Sequence, residues 1–206
     1  MADSGTLAQG KTGVYDLATR GVHHLALTTE DMKTTTEFYV NVVGMPLVHA
    51  MKVPAGVGIG PGNRGNPPYE CIRHYFFDMG NDSLLAFFEI PVDEKPKSDR
   101  DAIGGMQHVA FVVSVAQFEA IEARLAAHGV TYDGPIDIMP GMTSIYFIDP
   151  NGIRLEACCQ PAEGESPAVI PLVTQTKAEA GGELATMGVD AAWIEAMTQV
   201  LPADRA

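Results

Sequence analysis

The chain has 206 residues, 46% of them hydrophobic and 19% charged, the composition of a globular protein and not of a disordered one. Lys and Arg number 13 against 26 Asp and Glu, and the formal charge of −13 repels nucleic acid and anionic membrane surfaces. No apolar run approaches the roughly 18 residues of a membrane helix. Residues 1–20 are polar and Gly-rich, without the apolar core of a secretory signal. Cys71, Cys158 and Cys159 are odd in number and two are adjacent, which argues against a disulfide framework. The expectation is one soluble, cytoplasmic globular protein.

In chain order, residues 21–27 (Gly-Val-His-His-Leu-Ala-Leu) open as an apolar strand. Asp31 can cap the helix that follows, whose apolar face is Met32, Phe38, Tyr39, Val42 and Val43 and whose stop is Gly44. Strands are expected at Pro46–Val53, Cys71–Met79 and Ser83–Ile90, the last two joined by the turn Gly80-Asn81-Asp82. The pattern then repeats. Residues 105–111 form a second opening strand, and Ser114 with Gln117 makes a capping box for a helix buried through Phe118, Ile121, Leu125 and Ala126 and stopped at Gly129. Short Val130–Tyr132, Met142–Ile148 and Ile153–Cys159 complete it, the last two around the turn Asp149-Pro150-Asn151-Gly152. Both copies read β-α-β-β-β, and the fold class is α+β.

The modules occupy residues 21–92 and 105–160, with residues 93–100 a polar linker. Residues 1–20 are an N-terminal extension, and 161–206 a C-terminal one holding a short helix at Ala191–Leu201. The Gly/Pro-rich stretch Pro54–Pro68 has only the shorter Asp133–Gly141 as its counterpart, so it reads as a lid or wall of a substrate pocket.

The repeat sets chemistry-bearing residues in matching places. His24 and His108 lie in the first strand of each copy, and Glu89 and Glu156 lie in the last strand, both among apolar neighbours. A carboxylate in an apolar strand is costly unless paired or metal-bound. The four together suggest inward-facing ligands of one divalent cation. Nitrogen and carboxylate donors suit Fe(II), Mn(II), Ni(II), Co(II) or Zn(II).

The openings His24-Leu25-Ala26-Leu27 and His108-Val109-Ala110-Phe111, with Tyr146-Phe147-Ile148-Asp149-Pro150-Asn151-Gly152-Ile153-Arg154-Leu155-Glu156, resemble the vicinal oxygen chelate superfamily. That group includes glyoxalase I, epimerases, fosfomycin resistance proteins and extradiol dioxygenases. The resemblance implies two modules forming a half-barrel cup and a metal chelated by neighbouring substrate oxygens. It implies His24, His108 and Glu156 as ligands, with Glu89 where some members place a fourth; His23, of opposite strand parity to His24, should point away from the cup. It also implies a homodimer, by analogy with single-domain members. Tyr146 sits where extradiol enzymes carry an active-site Tyr, and His74 or His49 could carry a proton in place of the His that those enzymes have where Asn81, Asp82 and Ser83 stand here. An Fe(II) ring-cleaving dioxygenase is slightly preferred. A glyoxalase- or epimerase-like lyase or isomerase with Glu89 as fourth ligand is the alternative, and a metal-free drug-binding protein the third reading.

Overall fold

The computed structural model describes residues 19, 21–57, 68–139, 141–159 and 169–203. The expected repeat is present as two four-stranded sheets with helices, an α+β fold of two β-α-β-β-β modules. The first runs β1 (His24–Thr29), α1 (Met32–Glu37), a π-helical segment (Phe38–Val43), β2 (Leu47–Lys52), β3 (Arg73–Gly80) and β4 (Ser83–Glu89). The second runs β5 (Val109–Val113), α2 (Val115–Ala127), β6 (Tyr132–Met139), β7 (Met142–Ile148) and β8 (Arg154–Cys159). The sheet orders are β1-β4-β3-β2 and β5-β8-β7-β6, with each opening strand parallel to the last strand of its module. Residues 58–67, most of the Gly/Pro-rich stretch read as a lid, lie outside the described residues.

Local chemistry explains the elements. Asp31 caps α1 by accepting from the Thr34 N–H at 2.9 Å, and Ser114 and Gln117 form the reciprocal capping box on α2. The first helix departs from the expected single α-helix. From Phe38 it widens to π geometry, because the N–H groups of Gly44 and Met45 both reach back to the Tyr39 carbonyl at 2.9 Å. Gly44 ends it at φ +90°, and Arg124 of α2 donates to the exposed carbonyls of Val42 and Val43 at 2.8 and 2.9 Å. A Cβ at Gly44 would stand 2.9 Å from that guanidinium, so the site needs glycine for space and for backbone.

Strand β6 is a second departure. The expected strand stopped at Tyr132, but pairing with β7 continues to Met139 across a register shift between Asp133 and Ile136. Gly134-Pro135 reads as a loop, yet β6 is an edge strand, where a residue without an N–H costs no ladder bond.

Both sheets bury one face in a single apolar cluster. Tyr39, Phe77, Leu85 and Phe87 of the first module share it with Leu125, Ile145, Phe147 and Leu155 of the second. The Asp149-Pro150-Asn151-Gly152 turn locks this junction. The buried Asp149 carboxylate accepts from the backbone N–H of Asn151 (2.9 Å) and Ile153 (2.7 Å), from Asn151 Nδ2 (2.9 Å) and, across modules, from the Tyr39 hydroxyl (3.1 Å). Asn151 Nδ2 also reaches Thr35 Oγ1 at 3.2 Å. Burial pushes the Asp149 carboxyl above its usual range in spite of these donors, and burial first, then the Asp149 charge, holds the Tyr39 phenol well above its own.

Residues 21–167 form one compact unit, and helices α3 (Val169–Val173), α4 (Lys177–Ala185) and α5 (Ala191–Thr198) belong to another. Only α5 was expected. Gly181-Gly182 obscured α4, although its capping box, Thr176 with Glu179, was legible. No helix of the described residues is long and apolar enough to cross a membrane.

Tyr39→Phe should lower the unfolding free energy by about 1 kcal/mol and Asp149→Ala by about 3 kcal/mol. Urea denaturation of each variant and of the double mutant measures this, with non-additive losses expected because the two groups share one bond.

Candidate metal centre

Strand register assigns every candidate side chain to a face. In the first sheet, His24 pairs with Leu84, Ala26 with Ala86, Phe76 with Ala86, and His74 with Phe88. Registered neighbours share a face, so His24, Ala86, Phe76 and His74 stand together on the face turned away from the core. Ring contacts agree: Phe76 lies 6.3 Å from His24, 5.6 Å from His49 and 4.2 Å from His74. In the second sheet, Ala110 and Tyr146 both pair with Glu156, and Ser144 pairs with Cys158. Glu156, Tyr146 and Ser144 therefore share the open face, and His108 joins them from the residue before β5.

The second module holds a formed pair. His108 Nε2 lies 3.1 Å from Glu156 Oε2, and Ser144 donates to Glu156 Oε1 at 2.6 Å. Glu156 is buried, while the His108 side chain is 36% exposed, so the pair is fixed on one side and reachable on the other. Gln107 Oε1 hydrogen-bonds His108 Nδ1, which orients the ring and directs Nε2 at the carboxylate. Tyr146 lies 6.0 Å from the His108 ring. Burial first, then the Glu156 charge and a hydrogen bond to it, raise the Tyr146 phenol, so it keeps its proton and acts as a donor.

The first module carries the counterpart of this arrangement with different side chains. Leu25 pairs with Leu85 as Val109 pairs with Leu155, so the position equivalent to Glu156 is Ala86. The position equivalent to Tyr146 is Phe76 and to Ser144 is His74. Glu89 stands three residues beyond Ala86 and has the opposite parity. It shares the core face with Leu85 and Phe87, where its Oε1 accepts from the Met32 N–H at 3.0 Å and its Oε2 from Arg73. The expected match of Glu89 to Glu156 is corrected by that register, and with it Glu89's place among inward-facing ligands. Its carboxylate serves the start of α1 and borders a cleft of about 360 Å³ on the helix side.

Other expectations change as well. His23 does not turn away: its Nδ1 shares a 2.9 Å hydrogen bond with His24 Nδ1, which leaves His24 Nε2 free of that contact. Arg73 is paired with Glu89. Cys158 and Cys159 are free, buried thiols, and burial raises both. Among the described residues no three His, Cys, Asp or Glu side chains are grouped so as to hold a metal. The chain thus places His24 on one open face and His108 with Glu156 on another. Ser144 was missed in the sequence, although its spacing of two from Tyr146 on one strand is the parity signal that would have found it.

His74 is buried, stacked on Phe88 at 3.7 Å and tied through Nδ1 to the Phe87 carbonyl at 3.0 Å. Burial, opposed by that carbonyl and reinforced by His24 and His49, lowers its pKa below 6.5. The folded state then holds fewer protons than the unfolded state just below pH 6.5, so stability is full above that value and lost as pH falls through it. His74→Gln should flatten this acid-side loss. Melting temperatures of both proteins between roughly pH 7.5 and 5, the range of His titration, measure it.

Residues 21–157 match the family model for the Glyoxalase/Bleomycin resistance protein/Dioxygenase superfamily. No curated protein sequence matches the chain. A glyoxylase/bleomycin resistance protein/dioxygenase domain from Frankia sp. EAN1pec is 20% identical, with 72% of this chain and 96% of that one covered at a TM-score of 0.54. A glyoxalase/dioxygenase from Nostoc punctiforme is 22% identical, covering 78% of this chain and 100% of the other at 0.50. A mutant form of the genomically encoded fosfomycin resistance protein FosX from Listeria monocytogenes, complexed with Mn(II) and 1S,2S-dihydroxypropylphosphonic acid, is 19% identical over 68% of this chain and 91% of that one, at 0.48.

Proposed function

The chain belongs to the Glyoxalase/Bleomycin resistance protein/Dioxygenase superfamily, whose members bind divalent metals and small molecules, and we propose that it is a metal-dependent enzyme with His24, His108 and Glu156 as its ligand set. The observation that carries this is the pre-formed His108–Glu156 pair on an open face, matched by His24 at the equivalent place of the other module. Both sheets spend their other faces on one core, so the two parts of the set come together when a second copy brings its His24 face to the His108–Glu156 face of the first. The active form is thus a homodimer with centres shared between copies.

A bound divalent cation supplies Lewis acidity toward two neighbouring substrate oxygens. The protein's own part is distinct. Ser144 holds Glu156 in its rotamer and Gln107 holds the His108 ring. Tyr146 donates its phenol proton to a substrate oxygen, and His74, kept neutral, accepts a proton at Nε2 because Nδ1 is tied to Phe87. Phe76 and Phe88 form an apolar wall that suits a planar substrate and excludes water. With Ala86 where a second Glu would stand, the set has two His and one carboxylate, which favours Fe(II) and an extradiol-type ring-cleaving dioxygenase over a four-ligand isomerase.

Reconstitution with Fe(II), Mn(II), Ni(II), Co(II) or Zn(II), followed by elemental analysis, should give one ion per chain. His24→Ala and Glu156→Ala should each lose most of it and keep their fold. Mixing these two variants after mild dissociation should restore binding in part, because each supplies what the other lacks; a centre formed within one chain would show no recovery. Oxygen uptake by the anaerobically loaded Fe(II) protein on a panel of catechols tests the dioxygenase assignment, and metal uptake without oxygen consumption would return it to the isomerase class.

A further inference from the structure

The four strands of the second sheet carry one cationic side chain, Arg154 at the start of β8. It pairs with Ile148 of β7 and stands two residues before Glu156, so it shares the open face with Glu156, Tyr146 and His108. Its guanidinium carbon sits 4.4 Å from the Tyr146 ring centroid, a cation–π contact that restrains the group over the ring. Among the described arginines, Arg73 and Arg100 are paired with carboxylates and Arg124 with backbone carbonyls. Arg154 alone has neither an ion pair nor a hydrogen bond to a described residue. In a chain of 26 acidic and 13 basic residues an unclaimed guanidinium is conspicuous.

Arg154 also lines a cavity of about 110 Å³ with Thr131, Asp133, Tyr146 and Ile148. Asp133 is in the same cavity but forms no ion pair with it. That volume exceeds the roughly 30 Å³ of a water and accommodates a small polar group. A half-buried guanidinium held on an aromatic ring presents a fork of donors suited to a carboxylate or phosphoryl group.

We propose that Arg154 is the anion-recognising residue of this site, and that the substrate carries a small oxyanion, a carboxylate or phosphoryl group, beside the oxygens that meet the metal. This rests on the reading of His108 and Glu156 as part of the reaction centre. It adds the substrate's second anchor and implies an acidic substrate: the protein's −13 charge disfavours anions at long range, so one favourable guanidinium at close range selects those of the right shape.

The test uses the full chain without metal, observing arginine Nε–Hε resonances while sodium acetate or inorganic phosphate is added at constant ionic strength. The resonance absent from Arg154→Met should shift saturably, and that of the ion-paired Arg73 should not. Arg154→Met should weaken binding about tenfold or more, Arg154→Lys by less, and Tyr146→Phe very little, since the ring platform stays. Tighter phosphate binding assigns a phosphoryl group and tighter acetate binding a carboxylate. No saturable shift with either probe, or equal affinity in Arg154→Met with an unchanged melting temperature, overturns the proposal. Mn(II) binding followed by electron paramagnetic resonance in the same samples separates the two readings. Metal binding that survives without Arg154-dependent anion binding sinks this inference alone, and the reverse pattern sinks the metal reading.

Discussion

Both sheets of residues 21–167 press one face into the same apolar cluster, and this shared burial governs what the other faces can do. Side chains of a strand alternate strictly, so each residue given to the core fixes its neighbours on the open face. Leu85 and Phe87 in β4, and Leu155 and Ala157 in β8, are buried to 1% exposure or less, which commits Ala86 and Glu156 to the opposite face of their strands. The core is not only apolar. Asp149 and Tyr39 join the modules through a buried hydrogen bond, and Arg124 caps the carbonyl end of the opposite module's helix. Such polar links are costly if broken and so define one relative placement of the modules.

The same packing divides the chemistry. Glu156, Ser144, His108, Tyr146 and Arg154 collect on one open face as a prearranged set of donors and acceptors. His24, His49 and His74 collect around Phe76 on the other. The repeat leaves two faces of common geometry that differ in kind: one carries a carboxylate and a guanidinium, the other an apolar and imidazole wall. Equivalent positions differ, Ala86 against Glu156 and Phe76 against Tyr146, so the two surfaces offer different chemistry.

Helix ends show how local rules and tertiary demands combine. Asp31, Ser114 and Thr176 cap their helices as short-range hydrogen bonding dictates, without help from the fold. The π-helical segment Phe38–Val43 does not follow from its residues alone. It exists where the Tyr39 carbonyl is shared by two donors and the Arg124 guanidinium fills the space above Gly44. Edge position likewise lets β6 run through Gly134-Pro135, which by residue type alone is a break.

Much was determined by the sequence alone. The repeat, the caps, the turn Asp149-Pro150-Asn151-Gly152, the placing of His24 and His108 at the openings of the two modules and that of Glu156 in a closing strand all follow from periodicity of two or 3.6 and from turn chemistry, which act over a few residues. The tertiary structure decided what depends on register between strands distant in sequence. Glu89 resembles Glu156 in its apolar surroundings, yet hydrogen-bond pairing of β4 with β1 and β3 sets it on the core side, three residues past the equivalent position. One residue of register reverses a side chain's face, and no local pattern reports register. The distribution of the candidate ligands over two faces is of the same kind, because it is set by which faces the two modules bury together.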